Sequence, residues 1–252
     1  MGESGSITLE GSFLIERAVG SGLEIEEIVC VPARESWCHS LGPGLGLEPK
    51  VLAEAEISAL AGYPFHRGVL ARARRPPARE AGDLVDEISR DSGQMGSTIL
   101  AVPELADPEN LGSCFRNAAA LGCSCLLLGP NGPDPLSRRS LRVSMGASLS
   151  LPWARLEGPA GLAELDSKGF AVAACVLDPE ALDVRGWARP SLLALAMGNE
   201  AYGLSSPWLE ACELRLTLPM RGGVDSLNVA TAAALFLFAI SPDSRRASVK
   251  SR

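Results

Sequence analysis

The sequence lacks several features that mark particular classes of protein. Aromatic residues make up 5% of its 252 residues, and histidine occurs only twice. The longest apolar run, residues 229–240, is interrupted by Thr231 and is far shorter than the roughly 18 residues of a membrane-spanning helix. No basic segment followed by an apolar one opens the chain, so we expect neither a secretory signal nor membrane attachment. Excess positive charge is also missing, since the formal net charge is −7, which is unusual for a nucleic-acid-binding protein.

Metal-type and redox-type cysteine motifs are missing too. The seven cysteines include no CxxC pair, and their odd number does not suggest a disulfide framework. Cys123 and Cys125 stand two apart in a strand-like run, which places both on one face. We therefore interpret the cysteines as small buried apolar residues and expect a reducing cytoplasm. With two histidines and no cluster of ligands at metal spacing, we expect no metal site.

What the sequence does contain, from residue 97 onward, is a series of near-continuous apolar runs. Runs of this kind are typical of parallel strands that are buried on both faces by helices. The runs cover residues 98–103, 124–128, 170–176 and 192–197, and a last strand is expected at 214–218. Helices are expected at about 108–121, 137–145, 159–168, 205–212 and 226–240. This alternation predicts an α/β domain with a parallel sheet and helices on both faces.

The part of the chain before these runs predicts a second, smaller domain. Residues 7–75 have the pattern of a small α/β unit, and Pro76-Pro77 follows a basic string that ends at Arg75. Paired prolines are typical of a linker. We therefore expect a small α/β domain at 1–76, a linker at 77–97, the larger domain at 98–245 and a flexible tail at 246–252.

Three motifs carry polar residues at places where the predicted structure could use them. In the first, Asp107 can cap a helix, and Asn110, Ser113, Arg116 and Asn117 lie away from its apolar stripe. A solvated polar face would explain them, but amides and a hydroxyl are unusual there compared with Lys or Glu. In the second, a buried strand ends in Gly198-Asn199-Glu200, at the edge where α/β sheets bind ligands; an ordinary turn is the alternative.

The third motif begins a helix that is apolar almost all round. Ser226 and Asn228 are the strongly polar residues at its start, and alanines follow at 230 and 232–234. Both polar residues could act only as helix caps. A helix apolar on every side must be closely packed.

Together, NLGSCFRNAAALG, MGNEAYGLS and LPMRGGVDSLNVATAAA closely resemble, in order and spacing, the three signature motifs of the SpoU (TrmH) family of RNA ribose 2′-O-methyltransferases, in the SPOUT superfamily. The resemblance is strong over residues 98–240. It is weaker for HRGVLARARRP at 66–76, which is similar to the family's small substrate-binding domain.

The resemblance implies a fold, a cofactor and an assembly. The implied fold is the SPOUT type, in which the C-terminal segment forms a deep trefoil knot and binds S-adenosylmethionine. The residues implied for the cofactor pocket are Leu177, Gly198, Asn199, Leu218, Met220, Leu227 and Asn228. The family also implies a homodimer whose active site uses both chains, to which an apolar last helix is suited.

The resemblance further implies that Arg116 is the catalytic residue, accompanied by Asn110, Glu200, Ser226 and Asn228. The family role for this arginine is that of a base. A free arginine side chain, however, keeps its proton to about pH 12. Electrostatic stabilisation of the developing alkoxide or of a neighbouring phosphate is the alternative role.

We expect the substrate to be structured rRNA or tRNA. The candidates for RNA phosphate contacts are Arg67, Arg72, Arg74, Arg75, Arg138, Arg139 and Arg142, although clusters of this kind are often solvated faces. Two other functions stay open at this point. One is a non-catalytic RNA- or ribosome-binding protein of the same fold, and the other is a generic nucleotide-binding domain.

Overall fold

The computed structural model describes residues 5–41, 46–93, 96–199, 201–220 and 226–241. The chain forms two compact units. The first comprises Met1–Pro77 and Asp134–Ser150, and the second comprises Ala78–Pro133 and Leu151–Arg252. The first unit is therefore built from two separate stretches of sequence.

The elements are numbered in chain order. The strands are β1 (Ser6–Glu10), β2 (Ile25–Cys30), β3 (Lys50–Val51), β4 (Val69–Arg74), β5 (Arg79–Glu80), β6 (Ser97–Val102), β7 (Cys125–Leu128), β8 (Trp153–Arg155), β9 (Ala171–Cys175), β10 (Leu182–Asp183), β11 (Leu192–Met197) and β12 (Leu214–Thr217). The helices are α1 (Ser12–Gly20), α2 (Glu35–Ser40), α3 (Glu54–Ala61), α4 (Ala81–Asp91), α5 (Pro108–Ala120), α6 (Arg138–Val143), α7 (Ala147–Ser150), α8 (Pro159–Ser167), α9 (Ser206–Glu210) and α10 (Val229–Ile240).

The first unit has a mixed sheet in the order β1-β4-β2-β3. Strand β4 pairs antiparallel with both β1 and β2, and β2 pairs parallel with β3. Helix α1 buries Leu14, Ile15 and Ala18, while Ile57 of α3 and Phe65 belong to an apolar cluster with residues of β2 and β4. The first unit thus combines a small mixed sheet with helices.

The boundaries differ from the predicted ones at two places. The segment 77–97, which we expected to be a linker, contains β5 and α4. Helix α4 buries Leu84, Val85 and Ile88 in the core of the second unit, because their spacing forms one apolar face. Helix α6 lies in the region expected to belong to the larger domain, yet it packs on β1 within the first unit.

The second unit has a sheet in the order β10-β12-β9-β11-β6-β7-β8-β5, and the strands pair in parallel. Every residue of β6 is buried, as expected for a strand covered on both faces. Ile99 and Ala101 pack in one cluster with residues of α4, α8 and α9. The predicted α/β fold with a parallel sheet and helices is confirmed.

Helices α5 and α10 pack against each other. Asp107 caps α5 by accepting hydrogen bonds from the backbone N–H groups of Glu109 and Asn110 at 3.2 and 3.3 Å. The predicted apolar stripe of α5 is buried at Leu111, Phe115 and Ala118. This packing brings the N-terminal end of α10 to the polar face of α5.

Candidate active site

The carboxyl ends of neighbouring parallel strands meet at a cleft of about 480 Å³. Cys175 ends β9, Met197 ends β11, and Leu218 directly follows β12. All three line the cleft, together with residues of α10. This is the position at which parallel α/β sheets bind ligands, and the volume lies in the usual range for small-molecule sites.

Most residues predicted for the cofactor line this cleft. They are Leu177, Gly198, Asn199, Leu218, Met220 and Leu227. Ser226, predicted to act in catalysis, also lines it, whereas Asn228 does not. Glu200 lies outside the described residues.

A tight turn after β11 shapes one wall of the cleft. The backbone N–H of Asn199 donates to Gly203 O, and the N–H of Gly203 donates to Asn199 O, both at 2.9 Å. A Cβ atom at Gly198 would lie 2.1 Å from the carbonyl carbon of Gly203. Only a glycine allows this backbone approach, so Gly198 is required by the shape of the turn.

Glu104, which the sequence motifs did not point to, holds the same turn. Its Oε2 accepts a hydrogen bond from the backbone N–H of Ser205 at 2.7 Å, and its carbonyl oxygen accepts one from Asn199 Nδ2 at 3.2 Å. The available signal was its position two residues after β6, at the same sheet edge as the other motifs. Glu104 thus connects the turn after β11 to the end of the central strand.

Asn228 connects the starts of two helices. Its Oδ1 accepts hydrogen bonds from the N–H groups of Ala230 and Thr231 at 3.0 and 3.3 Å, which caps α10. Its Nδ2 donates to Asn110 Oδ1 at 2.8 Å. Asn228 is therefore a helix cap, and the same side chain also binds Asn110.

Some side chains on the polar face of α5 contact α10, whereas others are exposed. Asn117 Nδ2 donates to Ala230 O at 2.8 Å, a second bond between α5 and α10. Arg116 is exposed, and it has no hydrogen bond or ion pair to another residue in the described ranges. The amides hold α10, which leaves the guanidinium group of Arg116 available for a ligand.

The cysteine near the cleft is not a reactive nucleophile. Burial raises the pKa of the Cys175 thiol well above its ordinary value, and nearby Cys212 raises it further. Burial also raises the pKa of Cys212 to about 12. Both thiols therefore stay protonated near neutral pH, and all seven cysteines are free.

The arginines predicted to contact RNA fall into different settings. Arg75 is largely buried and binds Asp134 through both terminal nitrogens, at 2.9 and 2.7 Å. Arg72 and Arg74 are exposed, but each pairs with carboxylates of Glu24, Glu26 or Glu27. These pairs supply a structural explanation for the basic string.

The remaining arginines belong to α6 or lie just before β4. Arg138 pairs with the buried carboxylate of Glu10 and donates to Ala61 O at 2.8 Å. Arg139 is exposed on the same helix, Arg142 is partly exposed, and Arg67 is exposed ahead of β4. Arg67, Arg139 and Arg142 thus present at least part of their side chains at the surface.

Neither a membrane span nor a metal cluster occurs in the described ranges. None of the helices there is long and apolar enough to cross a membrane. Likewise, no group of three or more His, Cys, Asp or Glu side chains in those ranges is arranged to hold a metal ion.

Comparison with known proteins gives the family. The sequence pattern of the SpoU rRNA methylase family matches residues 97–238, more than half of the chain. The chain belongs to this family. An uncharacterized tRNA/rRNA methyltransferase of Mycobacterium bovis is 40% identical, with 92% of this chain and 79% of the relative covered. The 23S rRNA (guanosine-2′-O-)-methyltransferase RlmB of Acinetobacter baylyi is 30% identical, with 79% of each chain covered.

Solved structures agree with this SpoU family assignment. An AdoMet-bound rRNA methyltransferase from Sinorhizobium meliloti superimposes with a TM-score of 0.80 at 25% identity, covering 98% of this chain and 89% of that one. The SpoU methyltransferase AviRb from Streptomyces viridochromogenes, at 23% identity and a TM-score of 0.78, has the same fold over 96% of this chain and 91% of its own.

Proposed function

We propose that this SpoU-family chain transfers a methyl group from S-adenosylmethionine to a ribose 2′-hydroxyl of structured RNA, with rRNA as the favoured substrate class. The observation that carries the proposal is the cleft at the ends of β9, β11 and β12, with the Asn110–Asn228 pair on the adjoining helices. The family match and the 2′-O-methyltransferase name of the Acinetobacter relative support the reaction class.

The cleft has the character that the methyl donor requires. Leu177, Leu218 and Leu227 offer apolar surface for an adenine ring, and the backbone around Gly198 and Asn199 offers polar atoms at close range. When bound, the donor supplies an electrophilic methyl group on a sulfonium. We assign the cofactor contacts to the six predicted residues that line the cleft, and assign Asn228 an indirect role through the start of α10.

The acceptor side is assigned to α5. Transfer forms a bond from the ribose oxygen to the methyl carbon, breaks the carbon–sulfur bond to leave a neutral thioether, and releases the hydroxyl proton to solvent. Arg116 would stabilise the developing negative charge or hold the adjacent phosphate. Asn110, held by Asn228 at 2.8 Å, would orient the ribose, with Ser226 at the cleft and Glu200 as the remaining members of the proposed set.

Assembly and topology are part of the proposal. We infer a homodimer, because α10 exposes Leu235 and Phe238 at 43% and 60%, which is unusual for a helix apolar on all sides. We also infer the trefoil knot of the SPOUT fold in the C-terminal segment. Seven free cysteines and an rRNA substrate favour the cytoplasm as the place of action, and the donor should bind without a metal ion.

Titration calorimetry with S-adenosylmethionine and S-adenosylhomocysteine, with a chelator present, tests the donor site. We expect both to bind; failure of both would contradict the proposal. Mapping 2′-O-methyl groups in RNA from cells with and without this protein would then identify the nucleotide. A non-catalytic RNA- or ribosome-binding protein of the same fold would leave every such site unchanged.

A further inference from the structure

A second pocket, of about 220 Å³, lies within the first unit. It is lined by residues of β1 and α1, of the short helical turn Pro32–Arg34, of the loop before β4, and of the end of α6 with the turn that follows it. The residues that matter are Glu10, Phe13, Arg34, Arg67, Arg142 and Met145, and we call this site the basic pocket. Sequence patterns alone did not single out Arg34 or Phe13.

The charge of the basic pocket is positive and poorly compensated. Its carboxylate, Glu10, is 1% exposed and already pairs with Arg138 and accepts from Tyr63 Oη at 2.6 Å. Arg142 lies 4.0 Å from the same carboxylate. Arg34 and Arg67 form no ion pair with a carboxylate in the described ranges. The guanidinium groups of Arg34 and Arg67, which lack a carboxylate partner in those ranges, are suited to a phosphate group.

Apolar surface lies beside these charges. Phe13 and Met145 are 43% and 40% exposed, although both are large apolar side chains. The guanidinium group of Arg17 lies 4.9 Å from the centre of the Phe13 ring. Proteins that bind single-stranded RNA often place an exposed aromatic ring next to arginines, because a base stacks on the ring while the arginines bind the phosphate.

The backbone at Met145 adds an independent observation. Its φ is +51°, a positive value that no other non-glycine residue of the described ranges has. The N–H groups of Met145 and Gly146 donate to the carbonyl oxygens of Arg142 and Leu141 at 3.2 and 2.9 Å. This is the pattern that ends a helix with a left-handed residue, a position where glycine is usual. A strained backbone that presents an exposed side chain to a pocket is a feature of functional sites.

We propose that the basic pocket binds one nucleotide of the RNA substrate, with the phosphate held by Arg34, Arg67 and Arg142 and the base placed against Phe13 and Met145. The proposal rests on the proposed function, because it takes the substrate to be RNA. It adds a recognition site in the first unit, separate from the cleft for the methyl donor.

The test measures binding of a short fluorescein-labelled oligouridylate to the full chain over a range of KCl concentrations. The variant Arg34→Ala/Arg67→Ala should weaken binding and flatten the salt dependence by about 0.7 in log–log slope for each phosphate that is no longer neutralised. Phe13→Ala should weaken binding about tenfold with an unchanged slope, because stacking is not ionic. The control Arg90→Ala/Arg215→Ala removes the same charge from the second unit and should bind like the wild type.

Met145→Gly separates a binding role from a structural one. It relieves the positive-φ strain, so thermal stability should hold or rise, while RNA binding should weaken. If Phe13→Ala and Met145→Gly bind like the wild type, the nucleotide assignment is wrong, even if the arginine variant is impaired. If the arginine variant matches its control, the phosphate assignment is wrong.

Measuring the affinity for S-adenosylmethionine distinguishes a failure of this proposal from a failure of the proposed function. All four variants should bind S-adenosylmethionine as the wild type does, since none changes the cleft. A wild-type protein that binds RNA through the pocket but does not bind the donor would contradict the proposed function and leave the pocket assignment intact.

Discussion

Arg116 is the residue on which the proposed chemistry depends most. It is exposed on α5, outside the buried stripe of Leu111 and Phe115. Arg116→Ala should abolish methyl transfer, leave donor affinity nearly unchanged and alter stability by less than about 0.5 kcal/mol. Arg116→Lys should also be nearly inactive, because a point charge does not replace a planar fork of donors.

The measurements are turnover, calorimetric donor affinity and thermal midpoint for the wild type and both Arg116 variants. Near-normal turnover in Arg116→Ala would exclude Arg116 as the catalytic residue. An unfolded variant would show instead that this side chain is structural.

Substitution of Gly198 tests the shape of the cleft by adding a single carbon atom. A methyl group there would lie 2.1 Å from the Gly203 backbone, so the turn must move. Gly198→Ala should lower the free energy of unfolding by about 1–3 kcal/mol and weaken donor binding by about tenfold or more. Gly158→Ala is the matched control, because a Cβ atom at Gly158 has no neighbour within 4 Å. Unchanged donor affinity in Gly198→Ala would contradict the assignment of the cleft.

The hydrogen-bonded contact between α5 and α10 gives the main prediction at the level of secondary-structure elements. Asn228→Ala removes both the cap of α10 and the bond to Asn110, and should destabilise the protein by about 1 kcal/mol or more. Asn228→Asp keeps an accepting oxygen for the cap but loses the donor to Asn110. If the Asn110 bond matters for catalysis, Asn228→Asp should retain most stability and lose turnover.

A double-mutant cycle of Asn110→Ala and Asn228→Ala isolates the bond between them. Residues that share a hydrogen bond couple by about 0.5–3 kcal/mol, whereas independent sites add. Chemical denaturation gives the free energies of unfolding. If the two single-mutant changes add exactly, the hydrogen bond between the two side chains contributes nothing to the stability of the contact between α5 and α10.

Sequence patterns predicted some elements well and others poorly. The apolar run at 98–103 became β6 within a residue at each end, because burial on both faces leaves a strong signal. Helix α4 was missed, since the prolines at 76 and 77 suggested a linker although Leu84, Val85 and Ile88 form a helical stripe. Helix α6 was predicted, but its place in the first unit depends on a contact with Glu10, 128 residues away in sequence, which local patterns do not contain.

Sequence patterns likewise predicted some features of the candidate site and missed others. The motifs located the residues lining the cleft, because they follow strands whose ends lie at one sheet edge. They did not show that Asn117 holds Ala230 or that Glu104 holds Ser205, since both contacts join elements that are distant in sequence. They also did not show that Arg75 pairs with Asp134, which comes 59 residues later.

The exposed apolar face of α10 predicts that two copies of the whole molecule associate. The chain should be a homodimer at micromolar concentration. Phe238→Asp should shift it toward monomer and reduce turnover, because the family resemblance implies an active site that uses both chains. Leu60→Asp is the control, since Leu60 is similarly exposed at 63% but lies in the first unit. Light scattering would contradict the prediction if the wild type were a fully active monomer.

The most direct test of the central claim is the chemical identity of the product. Purified protein is incubated with S-adenosylmethionine carrying a labelled methyl group and with unmodified rRNA, and the RNA is digested to nucleosides for mass spectrometry. We predict that the label appears on the ribose of a 2′-O-methylnucleoside and disappears with Arg116→Ala. Label on a nucleobase, or no label in RNA by a protein that binds the donor, would contradict ribose methylation.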